Sequence, residues 1–132
     1  MKPEIAKLWI EALRSGEYLQ GTRSLRTDRS TFCCLGVLCE LARVEVNGEW
    51  ERLGEENQWD ESRNEYQWFF HIGVHKLWSY LPKEVVAWAG LQSDNCYVVG
   101  DEGFKTTLSM MNDRGKTFAE IAQTIEANME CL

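Results

Sequence analysis

Three arginines at three-residue spacing, Arg23, Arg26 and Arg29, are the side chains best placed in this sequence for chemistry with an anion. Ser24, Thr27, Ser30 and Thr31 lie between and after them, and the stretch runs directly into the apolar FCCLGVLCELARV of residues 32–44. Guanidinium groups grip phosphate oxygens in pairs, and the free N–H groups at a helix start add the positive end of the dipole. Arg23, Arg26, Arg29, Ser30 and Thr31 therefore form a candidate ligand site for a phosphorylated molecule, with tryptophan faces available to stack a base. The competing use of the arginines is ion pairing with Asp28, Glu17 or other surface carboxylates. The loop contains neither GxxxxGK(S/T) nor GxGxxG, which leaves ATP hydrolysis and a dinucleotide cofactor without support.

Asn112 and Asp113 join the candidate ligand-binding set because both could face a pocket. Their segment, Asn112 to Thr117, also has a scaffold explanation, with turn-accepting Asn and Asp side chains and Gly115 ahead of a capped helix. Cys33, Cys34 and Cys39 invite a metal reading with His71 and His75, which would share a face if that segment were helical. No paired CxxC exists, and cysteine among Leu and Val behaves as a small buried hydrophobe, so neither a metal nor a catalytic thiol is expected. Two histidines and many carboxylates permit acid–base chemistry, but no spacing forces them within hydrogen-bond reach. The expectation is a non-enzymatic protein without a cofactor.

The elements that must position these residues follow from periodicity. Pro3, Glu4 and the apolar Ile5, Leu8, Trp9, Ala12 and Leu13 predict a helix over 3–15, stopped by Gly16. Residues 16–31 read as a loop or irregular hairpin, and 32–44 as a buried helix capped by Ser30 or Thr31. Asn47-Gly48 predicts a hairpin turn between two short strands, followed by a mobile acidic loop. In residues 45–65, eight carboxylates oppose only Arg52 and Arg63. This segment is either a solvated surface or one that competes for a basic groove on a partner. Residues 66–78 fit a strand and turn or a short helix, and 106–111 fit either state. Leu81-Pro82-Lys83-Glu84 opens a short helix that Gly90 ends, and Cys96 to Val99 suits a strand. Thr117 with Glu120 forms a capping box for a helix over about 118–129. The fold class is α+β, a compact single domain over residues 1–132 with three to four helices and a small antiparallel sheet or hairpin.

The totals narrow the partners. A chain of 132 residues supports one core. With 21 acidic and 14 basic side chains, its net charge of −7 opposes general affinity for a nucleic-acid backbone or an anionic membrane surface. No apolar run has the length of a membrane span, and MKPEIAKLWIEAL lacks the long apolar stretch of a signal peptide, which predicts a cytoplasmic protein. Five cysteines, two of them adjacent, suit a reducing compartment and free thiols. Six tryptophans are a surplus for this length, with core filling as their first use. Self-association is left open.

The blocks FCCLGVLCELA, LPKEVVAWAGL and LSMMNDRGKTFAEIAQTIEANM, in that order along most of the chain, resemble a family of small proteins encoded widely by tailed bacteriophages and prophages. The resemblance implies a gene in the accessory part of a phage genome, where small non-enzymatic proteins act against host defence or redirect a host enzyme. It implies the host bacterial cytoplasm as the place of action and assigns no residue roles. This chain departs by a longer acidic, tryptophan-bearing middle segment. Two functions follow as expectations. The first is a counter-defence protein that sequesters a small phosphorylated, nucleotide-like host signal at the arginine loop. The alternative is an acidic protein–protein inhibitor of a host defence nuclease or other nucleic-acid enzyme, anti-CRISPR-like or anti-restriction-like.

Overall fold

The computed structural model describes residues 1–52, 59–60, 65–66 and 68–132. Helix α1 covers Pro3–Arg14, with Pro3 in the first turn, where a missing N–H costs nothing. Its apolar stripe buries Ile5, Trp9, Ile10 and Leu13, and it packs against the last helix, α5 (Phe118–Asn128), and against α2 (Cys34–Ala42). An exposed bidentate pair, Arg14 to Glu126 at 2.9 and 3.0 Å, joins the outer faces of α1 and α5. Helix α2 is the centre of the core, with Leu35, Val37, Leu38 and Cys39 fully buried.

The cap of α2 differs from the sequence expectation. Thr31 and Phe32 form a strand, β2, that pairs in parallel with β1 (Leu19–Gln20), so neither Ser30 nor Thr31 reaches the helix start. Cys33 is the N-cap instead, its Sγ accepting from the Gly36 N–H at 3.4 Å. Gly36 is required by close approach: a Cβ there would lie 1.7 Å from the carbonyl oxygen of Leu25. The first turn of α2 is thereby seated on the backbone of the arginine loop.

The expected pair of strands around Asn47-Gly48 is also corrected. Residues 43–47 continue as turns after α2, with Val46 N–H bonded to Ala42 O at 3.0 Å and Gly48 N–H to Arg43 O at 2.8 Å. Local bonding back to the end of α2 wins there over a hairpin, and Gly48 lies against the Phe70 ring. Only the second strand forms, β3 (Glu49–Arg52), and its partner is distant: the antiparallel sheet has the order β3-β6-β7, with β6 at Trp68–Ile72 and β7 at His75–Leu77. Residues 68–77 are thus a hairpin turning at Gly73, which has φ +59°, and the helical face imagined for His71 and His75 does not exist. A two-residue pair, β4 (Trp59–Asp60) with β5 (Glu65–Tyr66), falls within the acidic segment. The rest of the expected acidic loop lies outside the described residues.

Helix α3 (Lys83–Ala89) ends at Gly90 in the left-handed region, φ +68°. Strands β8 (Tyr97–Val99) and β9 (Lys105–Thr107) form an antiparallel hairpin, and β9 feeds directly into the short helix α4 (Leu108–Asp113). Thr117 caps α5 by accepting from the Glu120 N–H at 3.2 Å. The architecture is α+β in one domain, with five helices and small sheets among the described residues. No helix among them is long and apolar enough to cross a membrane.

Replacing Gly36 by Ala forces the α2 start away from Leu25, and overpacking of this kind against backbone costs about 3 kcal/mol. A urea denaturation curve of Gly36→Ala is expected to show a clear fall in midpoint, and an unchanged midpoint would contradict the described seating.

Candidate functional site

The arginine loop is held by short-range bonds of its own and by one to the distant Trp78. Thr27 N–H donates to Thr31 O at 2.9 Å, the Asp28 carboxylate accepts from the Arg29 N–H at 2.7 Å, and Leu25 N–H reaches Trp78 O at 2.7 Å. Within it the three arginines diverge. Arg23 adopts φ +70° and its backbone N–H donates to Asp113 Oδ1 at 2.7 Å. It faces a separate cavity of about 310 Å³ together with Tyr80, Ser109 and Asp113.

Arg26 turns inward. Its Nε donates to Asp28 O at 2.9 Å and an Nη to Arg29 O at 2.5 Å. The guanidinium carbon lies 4.1 Å from the Trp68 ring centroid, 5.1 Å from Phe32 and 5.4 Å from Trp50. Burial lowers its pKa, and the fields of Glu40 and Asp28 partly offset that. Cation–π contacts at partly desolvated sites contribute about 1–2 kcal/mol each. Arg26 is therefore a tie that holds the loop onto an aromatic wall, with its Nε and one Nη bonded to loop carbonyls.

Arg29 and Ser30 stand at the exposed mouth of a cavity of about 530 Å³. Tyr18, Phe32 and Trp50 line it on the aromatic side, where edge contacts of 5.5 and 5.7 Å between successive rings fix the wall. Glu17, Glu40, Arg43 and Glu49 complete the lining. Glu40 is held on both oxygens: Trp50 Nε1 donates to Oε2 at 2.7 Å, and Arg43 Nε stands 3.4 Å from Oε1. Burial raises the pKa of Tyr18, with Glu40 and Glu17 adding to the rise. Among the described residues the Arg29 guanidinium has no carboxylate within ion-pair distance. The expected pairing with Glu17 or Asp28 is not how the arginines of this loop are used.

Of the seven residues proposed from the sequence, Arg26, Arg29 and Ser30 share this one cavity. Thr31 is committed to the β1–β2 pair. Arg23 and Asp113 share the second cavity. Asn112 is fully buried and faces neither: its Oδ1 accepts from Cys34 N–H and from Gln20 Nε2, both at 3.1 Å, and its Nδ2 donates to Gly21 O at 2.7 Å. That use also corrects the anion-site geometry, since Cys34 N–H at the start of α2 points at an amide oxygen inside the core and is not available to a phosphate. The residues missed by sequence reasoning are Tyr18, Glu40 and Trp50. Glu40 was visible only as the single charged side chain within the apolar run of α2, and nothing local linked Tyr18 or Trp50 to it.

A family model described as a domain of unknown function, DUF8296, matches residues 1–129. The chain belongs to the DUF8296 family. No curated protein and no solved structure matches this DUF8296 chain, so the roles of its residues rest on its own geometry.

The cysteines of the DUF8296 domain are core residues. Cys33, Cys34, Cys39 and Cys96 are buried free thiols, and Cys131 is exposed. Among the described residues no cluster of three or more His, Cys, Asp or Glu is arranged to hold a metal ion. Desolvation pushes Cys33 and Cys96 up to about 12 from the ordinary 9.0, and raises Cys34 and Cys39 well above it. Such thiols are protonated and poor nucleophiles at neutral pH.

Two outcomes are expected. Asn112→Ala strands the Cys34 N–H and the Gly21 carbonyl in the core, and chemical denaturation is expected to show a loss of about 3 kcal/mol. The buried thiols give alkaline sensitivity, because the folded chain retains protons that the unfolded chain loses above its thiol pKa. Their stabilising contribution is full below about pH 9 and is lost as pH rises toward 12, at up to about 1.4 kcal/mol per pH unit for each thiol. Melting temperatures recorded from neutral to strongly alkaline pH measure this slope, and substituting Cys33 and Cys96 by Ala should flatten it.

Proposed function

We propose that this protein is a phage-encoded counter-defence protein that captures a small phosphorylated, nucleotide-like host molecule and releases it unchanged. The observation that carries the reading is one cavity with an aromatic wall, Tyr18, Phe32 and Trp50, and at its mouth beside Ser30 the guanidinium of Arg29, which has no ion pair among the described residues. Its volume of about 530 Å³ lies within the range of roughly 300–1,000 Å³ typical of small-molecule sites. Aromatic faces stack a base whatever its identity, and an arginine fork matches the phosphate oxygens. A sequestering protein needs affinity and abundance, with no group poised to attack or transfer protons. The phage origin is supported by the three sequence blocks, and action in the host cytoplasm follows from that origin. The net charge of −7 favours a ligand held locally over binding along a nucleic-acid backbone.

Native mass spectrometry of the protein purified from bacteria with an active nucleotide-signalling defence tests this directly. An added mass that is released on denaturation as an intact nucleotide-like molecule is the expected result. Arg29→Ala should lose the added mass and the protection of phage together, while replacement of residues 54–63 by a neutral linker should preserve both. An empty protein that still protects phage, with protection lost on replacing residues 54–63, would overturn the reading in favour of an acidic inhibitor of a host protein.

A further inference from the structure

Resting on the reading that the large cavity takes a nucleotide, we infer that the base it selects is guanine, recognised by the Glu40 carboxylate. Glu40 enters the cavity from α2, the best-packed helix of the core, with its side chain 27% exposed. A carboxylate has about four acceptor positions and no donor when ionised. Trp50 Nε1 takes one on Oε2 at 2.7 Å and Arg43 approaches Oε1 at 3.4 Å, which fixes the plane of the group and leaves about two acceptor positions open.

Two adjacent acceptors ask for two adjacent donors. Guanine presents them on its Watson–Crick edge, as N1–H and the 2-amino group. Adenine and cytosine each place a ring-nitrogen acceptor beside their amino group, and uracil flanks its single N–H with carbonyls. Any of these three would set a lone pair against an acceptor-only group in a half-buried setting. Repulsion of the wrong base adds to attraction for the right one. The other carboxylates of the lining, Glu17 and Glu49, are acceptors as well, while the indole donor of Trp50 is already used by Glu40. Glu40 thus offers acceptors to a base, and of the three arginines of the lining Arg43 faces Glu40 and Arg26 bonds loop carbonyls, which leaves Arg29 to meet a phosphate. This division keeps the carboxylate apart from the anionic end of the ligand: Glu40 meets the donor edge of the base and the Arg29 guanidinium meets the phosphate.

Isothermal titration of the full chain with guanosine, inosine and adenosine 5′-monophosphates tests the inference. Inosine monophosphate keeps N1–H and lacks the 2-amino group, so it reports the second donor on the wild-type protein without any mutation. The expected order is guanosine over inosine over adenosine. A bond to a charged acceptor accounts for about tenfold at each step. Glu40→Gln, checked for folding by its melting curve, should bring the guanosine nucleotide down toward the adenosine one. Arg29→Ala should weaken all three and keep their order. Equal binding of the guanosine and inosine nucleotides, or adenosine binding as tightly, would overturn guanine selection while leaving the nucleotide reading in place. No saturable binding of any of the three to the folded protein would remove the nucleotide reading itself, and this inference with it.

Discussion

A pair of amides, Asn112 in the core and Gln20 at its edge, holds together the parts of this fold that would otherwise have no reason to meet. Asn112 joins Gly21 in the loop to the first turn of α2, and Gln20 donates to Asn112 and to Lys116 O at 2.6 Å while its Oε1 accepts from Phe118 N–H at 2.9 Å. One small network therefore satisfies donors at the starts of two helices, α2 and α5, and pins the strand entering the arginine loop. Buried polar groups that are fully satisfied specify a single arrangement, because any other leaves several of them unpaired at once. The two-residue strands β1 and β2 would not persist alone, and it is this network, with Gly36 seated on Leu25, that gives them a fixed place.

The cavity is a consequence of that fixed place. With the loop held from behind, Arg26 can turn onto Trp68, Phe32 and Trp50, and its inward turn leaves the next arginine in the series facing out. Phe32 and Trp50 serve both as platform for the guanidinium and as wall of the cavity. Glu40 links this wall to the core, since it sits on α2 and bonds the indole of β3. The cavity is thus supported by the loop, α2 and β3, which follow one another between Glu17 and Trp50, and its polar groups are already oriented by bonds within the protein, an arrangement that lowers the ordering cost of any binding there.

How much of this was legible in the sequence depends on whether the deciding contact was local. Helices α1, α3 and α5 follow from apolar periodicity and their end signals, Pro3, Gly90 and the Thr117 cap, all of which act within a turn or two. The start of α2 was misplaced because Thr31 and Phe32 are claimed by Leu19 and Gln20 from another segment. Asn47-Gly48 has the composition of a hairpin turn, yet its strand partner lies at Trp68–Ile72, and no local rule could say so. In the candidate site, equal spacing of Arg23, Arg26 and Arg29 suggested a cluster, whereas the positive φ of Arg23 sends it to a separate cavity and the inward turn of Arg26 ties it to aromatic rings at the cavity it shares with Arg29. Asn112 was read both as scaffold and as a pocket residue, and only its buried partners decide the use made of it.

The packing of α1 on α5 has a consequence for how the chain reaches this structure. The two helices are separated by more than a hundred residues, yet they form one of the main contacts of the core, and Trp9 is fully enclosed with its indole N–H on Cys34 O. During synthesis at a ribosome, α1 emerges first and α2 soon after, but the face of α1 that packs on α5 must wait uncovered until residues 118–128 have been translated. Topologies that depend on such distant contacts fold slowly and expose apolar surface for longer. The interval is governed by translation of the middle of the chain, so the acidic segment between the two helices also sets how long that face of the first one remains uncovered, and its density of like charge discourages neighbouring nascent chains from associating in the meantime.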